Sequence, residues 1–161
     1  MTDDATSAPT GRDLLTGLPN APALRQNYER GLFDATHVAY IDLNHFGSVN
    51  GEWGNDVGDA ALAVIGRRCL SVPVTHGVVY RVGGDEFALV AAGTRARVIE
   101  TLRRLLEQIR LPISAIDDHR VTATAGIVEI LPGEDWWTAY GRAHDEFITQ
   151  RRLGSDRYNE L

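Results

Sequence analysis

Short apolar runs alternate with longer stretches in which apolar residues recur every three or four positions. Thr36 to Leu43 is almost wholly apolar, as expected of a central strand covered on both faces. His76 to Val82 and Phe87 to Ala92 read as two more strands, and Arg120 to Val128, rich in β-branched residues, as a fourth. Helical spacing runs through Asp56 to Leu70, with Val57, Ala60, Ala61, Val64, Ile65 and Arg68 on one stripe. It recurs in Thr94 to Ile109 through Val98, Leu102, Leu105, Leu106 and Ile109, and again in Trp136 to Leu153. An earlier helix is expected from Asn20, a plausible N-cap with Pro22 in the first turn, to about Arg30, ending at Gly31. Asn44 to Asn55 carries Gly47, Gly51 and Gly54 and reads as a loop or a short irregular helix. A short strand is expected near Arg157 and Tyr158. The order β-α-β-β-α-β with additions is the split-βαβ, ferredoxin-like arrangement.

Two strands meet at Arg81-Val82-Gly83-Gly84-Asp85-Glu86-Phe87. A Gly-Gly pair between apolar runs reads as a hairpin turn, and glycines let a phosphate or another backbone come close. Gly, Asp and Glu also favour any solvated turn. The first strand ends at another carboxylate, Asp42. Carboxylates at the ends of neighbouring strands suit a hard divalent cation whose shell phosphate oxygens complete. Asp85 and Glu86, being adjacent on a strand, are expected to point to opposite faces.

Bulk composition narrows the classes. The chain has 161 residues, 43% hydrophobic and 24% charged, consistent with one globular domain, expected over 12–161, behind a disordered tail at 1–11. The net charge of −6 argues against a nucleic-acid polymer or an anionic membrane as partner. The single cysteine, Cys69, excludes an internal disulfide and reads as a buried structural thiol. No apolar run approaches the roughly 20 residues that span a bilayer, and the first ten residues lack signal-peptide character, so a cytoplasmic location is expected. There is no Ser-His-Asp grouping, Cys-His metal spacing or P-loop pattern.

Gly83-Gly84-Asp85-Glu86-Phe87 resembles the signature of the GGDEF family, the bacterial diguanylate cyclases. Asp13-Leu14-Leu15-Thr16-Gly17-Leu18-Pro19-Asn20 resembles that family's D-x-L-T-G-L-P-N opening. Asp42-Leu43-Asn44-His45-Phe46 with Asn50 resembles D-x-D-x-F-K-x-x-N-D, and Gly54 to Asp59 resembles G-H-x-x-G-D. The resemblance runs from about Arg12 to Tyr158. It implies an α+β, polymerase-palm-like βααββαβ fold with a mostly antiparallel sheet. It also implies condensation of two GTP into cyclic di-GMP with release of pyrophosphate, in a homodimer whose protomers each present one nucleotide, with a regulatory protein as a further partner. Mg²⁺ or Mn²⁺ would be held by Asp42, Asp85 and the Leu43 carbonyl. Glu86 would make a second metal contact or activate the 3′-hydroxyl, unless its role is purely structural. Asn50 and Asp59 would read guanine, since a carboxylate accepts from both N1–H and the 2-amino group, and adenine offers neither. His45 and Phe46 would give backbone N–H groups to the phosphates, Gly83 and Gly84 would lie against the nucleotide, and Arg151 would supply a cation.

The chain departs from the family pattern at several positions. Gly47 stands where the family has Lys, Ser155 where it has Arg, Arg151 in place of Lys, His144 of Asp, Asn55 of His and Gly51 of Asp. Two cations are thus missing, each worth roughly 1.5–3 kcal/mol as a donor to a charged group, which implies slow turnover. Arg152 and Arg157 are the cations at hand to replace them. The alternative is a degenerate module that binds GTP or a cyclic dinucleotide without turnover. The family's product-inhibition R-x-x-D falls on Val74 and Gly77, so no feedback through that site is expected.

Overall fold

The computed structural model describes residues 11–31, 34–74 and 76–159. The expected tail, apart from Gly11, lies outside them. In chain order the elements are α1 (Ala21–Glu29), β1 (His37–Leu43), α2 (Phe46–Trp53), α3 (Asn55–Ser71), β2 (Gly77–Arg81), β3 (Glu86–Ala91), α4 (Arg95–Ile109), a 3₁₀ turn (Ser114–Ile116), β4 (Ala123–Glu129) and α5 (Trp136–Leu153). The strands form an antiparallel sheet in the order β2-β3-β1-β4. This is the expected α+β layout, with β1 in the interior of the sheet.

Three of the helices start where a short polar side chain satisfies the first amides. Asn20 caps α1 at Ala23 N, Thr94 caps α4 at Arg97 N, and Asp135 caps α5 at Thr138 N. Alternation along the strands divides the core into two layers. Ala39, Ile41, Leu43, Phe87 and Leu89 pack against Phe46, Leu62, Ile65, Leu102, Leu105 and their neighbours on α2, α3 and α4. Val38, Tyr40, Tyr80, Ala88 and Val90 pack against Leu24 of α1 and Trp136, Ala143 and Phe147 of α5. Gly126 on β4 makes the second layer tight: a Cβ there would stand 2.2 Å from both Ala143 O and Phe147 N of α5. α5 therefore lies directly on the sheet.

Three expectations change. Within Asn44 to Asn55, Phe46–Trp53 forms a regular α2 despite its glycines, because Phe46 and Val49 are buried, and only Asn44, His45 and Gly54 stay outside a helix. The buried face of α3 is Gly58, Ala61, Leu62, Ile65, Gly66 and Cys69, one residue round from the expected stripe. Ala60 is exposed, and the Arg68 guanidinium donates to Leu111 O and Pro112 O. The short strand near Arg157 is an isolated parallel bridge, Ala125 to Tyr158, extended by the Asn159 side chain, which bonds both N and O of Ile127. Trp137 is exposed, whereas Trp136 belongs to the core. Cys69 is buried as expected, and burial pushes its thiol up to about 12.

Candidate active site

The site forms where β1 and β3 end together. Asp42 pairs with Glu86 across the antiparallel ladder, so these two side chains share a face. Asp85 precedes β3, and its carbonyl accepts from Leu43 N at 3.0 Å, tying the hairpin turn to the end of β1. One carboxylate oxygen from each of Asp42, Asp85 and Glu86 lies within 4.8 Å of the others. The expectation that Asp85 and Glu86 diverge is therefore corrected. Asp85 lies in the turn rather than in the pleat, and its carboxylate joins the cluster.

The electrostatics follow. Asp42 is pushed up to about 6, first by burial and then by the charges of Asp85 and Glu86, while Arg151 opposes the shift. Three half-buried carboxylates at this separation repel one another, and an all-oxygen acidic donor set is the kind that holds Mg²⁺ or Mn²⁺. The residues present fit such an ion. Arg151 is the nearby cation, its guanidinium 5.8 Å above the Phe147 ring on α5.

The turn is held from behind by Arg81. Its guanidinium donates to Gly83 O and Gly84 O and to both carboxylate oxygens of Asp13 at 3.0 Å. Its backbone N donates to Pro19 O. Burial raises the Asp13 carboxyl, but the Thr16 hydroxyl and amide together with Arg81 outweigh it and hold Asp13 below its ordinary value. The chain's opening motif thus buttresses the turn. Gly83 leaves room for Glu86, since a Cβ there would be 2.6 Å from Glu86 Oε2, whereas Gly84 faces open space.

On the other side of Asp42 the chain passes through Asn44 into α2. The Asn44 side chain donates to Thr122 Oγ1 and accepts from Thr124 Oγ1, fastening this connection to β4. His45 adopts a left-handed conformation (φ 56°) as the N-cap of α2, with no side-chain cap bond. The first amides of α2, at Phe46 and Gly47, thus have no side-chain cap from His45, and a helix start of this kind can bind an anion. Phe46 itself is buried. Further along α2, Asn50 lies against Gly58 of α3, and Asp59 follows exposed in the second turn of α3. The first-turn acid is Asp56, so Asp59 is not explained as a helix-dipole carboxylate.

Of the residues singled out from sequence, Asp42, Asp85 and Glu86 are brought together, and the charge of Arg151 reaches Asp42. Asn50 and Asp59 lie on the facing helices α2 and α3. Leu43 is buried beside Asp85. Gly47 lies on α2 with open space about it, and Ser155 is exposed beyond α5. Arg157 is committed to Gln150 Oε1 and Leu153 O. A Cβ at Gly77 would be 2.5 Å from Val90 O, leaving no room for an acidic side chain there. Arg81 and Asn44 were not assigned these roles from sequence. A lone basic residue at a strand end, or an Asn after a strand, carries no signal of its own.

The fold and the carboxylate cluster define an α+β domain with three acidic side chains gathered at a hairpin. The chain matches the family described as diguanylate cyclase, GGDEF domain, over residues 10–157, and it belongs to that family. It is 35% identical over 129 residues to diguanylate cyclase DgcP of Escherichia coli (strain K12), covering 74% of this chain and 38% of that protein. It is 32% identical over 130 residues to cyclic di-GMP phosphodiesterase NbdA of Pseudomonas aeruginosa, covering 76% of this chain and 16% of that protein. Among solved structures, diguanylate cyclase SiaD in complex with its activator SiaC, from Pseudomonas aeruginosa, superposes with a TM-score of 0.81 at 32% identity. The match covers 92% of this chain and 60% of that one. The chain thus spans less than half the length of these curated relatives. Among the described residues, no helix is long and apolar enough to cross a membrane.

Proposed function

We propose that this chain is a diguanylate cyclase domain that condenses two GTP molecules into cyclic di-GMP. The observation that carries the reading is the approach of the Asp42, Asp85 and Glu86 oxygens to within 4.8 Å at the mouth of the Gly83-Gly84 turn. Asp42 and Asp85, with the Leu43 carbonyl, would hold Mg²⁺ or Mn²⁺. The bound ion would neutralise triphosphate charge, which phosphoryl transfer needs more than covalent help. In each of two equivalent steps the 3′-oxygen of one GTP bonds to the α-phosphorus of the other. Its proton departs, and the bond to pyrophosphate breaks.

Glu86 would accept that proton or contact a second ion. Asn50 and Asp59 would read the guanine edge. The amides after His45 and at Phe46 would bind the β- and γ-phosphates, Gly84 leaves the approach open, and Arg151 supplies the local cation. One site cannot supply both nucleotides, so a homodimer with facing sites is required. A regulatory protein partner is in keeping with the SiaD–SiaC complex. A cytoplasmic location fits a substrate drawn from the nucleotide pool.

Incubation with GTP and Mg²⁺ or Mn²⁺, followed by chromatography, tests this. Cyclic di-GMP from the wild type and none from Asp85→Ala is the expected result. No product at high protein concentration, in a sample that binds GTP, rules it out.

A second reading rests on Gly47 and Ser155, which remove two cations, and on a relative named as a phosphodiesterase. On that reading the domain binds GTP or the cyclic dinucleotide and signals without turnover. Tight binding with no product distinguishes it.

A further inference from the structure

We propose that Asn44 is a positioning residue that turns the Leu43 carbonyl toward the Asp42, Asp85 and Glu86 cluster. This deepens the reading just given and rests on it for the ion, though not for the contacts that hold Asn44. β1 ends between β3 and β4. On the β3 side, Leu43 N donates to Asp85 O at 3.0 Å. A regular antiparallel pair would return a bond from Asp85 N to Leu43 O. Among the described residues that return bond is not made, so the ladder stops short of this carbonyl.

The direction of the carbonyl is set one residue later. Asn44 N donates to Thr122 O, just ahead of β4, at 2.8 Å. The peptide between Leu43 and Asn44 is trans and planar, so its C=O points opposite to its N–H. With the N–H on Thr122, the Leu43 carbonyl faces the β3 side, where Asp85 lies. Whatever holds Asn44 against β4 therefore also holds this oxygen in place.

The Asn44 side chain is that hold. Its amide donates to Thr122 Oγ1 at 3.0 Å, and its oxygen accepts from Thr124 Oγ1 at 2.9 Å. Thr124 is buried and pairs with Asp42 across the sheet, so the anchor stands beside the cluster. The next residue, His45, is left-handed (φ 56°), a conformation that a non-glycine residue keeps only where its surroundings impose it. Without the anchor the Leu43–Asn44 peptide is free to rotate, which would carry the carbonyl away from the ion. Groups that orient a metal ligand in this way typically carry 10- to 100-fold in metal affinity or activity.

Asn44→Ala removes the anchor and keeps the backbone. Mn²⁺ titration followed by electron paramagnetic resonance, without nucleotide, should show about tenfold weaker binding. Thr124→Val, which takes away the hydroxyl but not the volume, should weaken Mn²⁺ binding to a similar extent, and Thr124→Ser should restore it. Asn44→Ala added to Thr124→Val should cost little more, because the two act through one contact. A ¹³C label at the Leu43 carbonyl reads the oxygen itself: Mg²⁺ should shift its resonance in the wild type and not in Asn44→Ala. Wild-type Mn²⁺ affinity in either Asn44→Ala or Thr124→Val overturns the proposal, as does a carbonyl shift that survives in Asn44→Ala. A lowered melting temperature with unchanged Mn²⁺ binding also overturns it, by reducing Asn44 to a role in the fold. If the wild type binds Mn²⁺ but makes no cyclic dinucleotide, the cyclase reading fails, and the titration still decides for or against Asn44.

Discussion

The side-chain oxygen of Asn50 on α2 occupies the space in which a β-carbon on Gly58 of α3 would stand, at 1.8 Å. Gly58 is thus the socket that lets one guanine-reading candidate lie beside the other, Asp59. Gly58→Ala should expel Asn50 from this position. A base reader loses most when its hydrogen bonds are left unmade. GTP affinity should therefore fall about tenfold, matching Asn50→Ala, while weak ATP binding changes little. Competition titration with GTP and ATP checks this, and undiminished GTP preference in Gly58→Ala would separate Asn50 from base reading.

Asp42 links the site to pH. Its folded pKa, about 6, lies above the ordinary 3.8. The folded state therefore holds this proton more tightly than the unfolded chain does. The associated stability is fully present below about pH 4 and is lost as pH rises through about 6. The difference between 3.8 and about 6 corresponds to about 3 kcal/mol. Solvent screening of a half-exposed group reduces that to on the order of 1 kcal/mol. Asp42→Asn should accordingly be more stable than the wild type by about that amount at pH 7.5 in chelator, with the difference vanishing near pH 4. Added Mg²⁺ should stabilise the wild type and leave the variant unchanged. Urea unfolding at the two pH values measures both effects.

Gly47 faces open space, so a lysine fits there without moving anything. Gly47→Lys should raise turnover about tenfold, in line with one added charge-assisted hydrogen bond to a phosphate. It should also stabilise α2 by roughly 0.5–1 kcal/mol through helix propensity. Turnover and melting temperature report the two effects separately. Added stability without added turnover would show that no phosphate comes within reach of position 47.

Arg81 binds two turn carbonyls and Asp13 at once, with little exposure of either ion-pair partner. Its removal leaves Asp13 partly buried without its counter-charge, held only by Thr16. Arg81→Ala should cost about 2–3 kcal/mol in denaturant unfolding and abolish product even where the fold survives. Asp13→Asn, which keeps a hydrogen-bond acceptor, should cost less.

The strands and their acidic ends were legible because apolar runs broken by glycine carry a strong local signal, and register then follows from the fold. The bounds of α5, Trp136 and Leu153, were legible instead from its helical spacing. α2 was less legible because Gly47 and Gly51 lower its propensity, and only the burial of Phe46 and Val49 restores it. The face of α3 was misplaced because hydrophobicity favours Val57 and Val64. The true contact face uses Gly58 and Gly66, where Asn50 and Thr16 approach too closely for any side chain. The roles of Arg81 and Asn44 lie in contacts between residues 68 to 80 positions apart in the chain. Asp85 was assigned the wrong direction because it belongs to the turn and not to the strand.

Calorimetric titration of a non-hydrolysable GTP analogue, with and without Mg²⁺, into the wild type and Asp85→Ala tests the central claim most directly. Nucleotide uptake that requires the cation and is lost in Asp85→Ala is the predicted result. Equal uptake in chelator, or an unaltered isotherm in the variant, would contradict a site built on Asp42, Asp85 and Glu86.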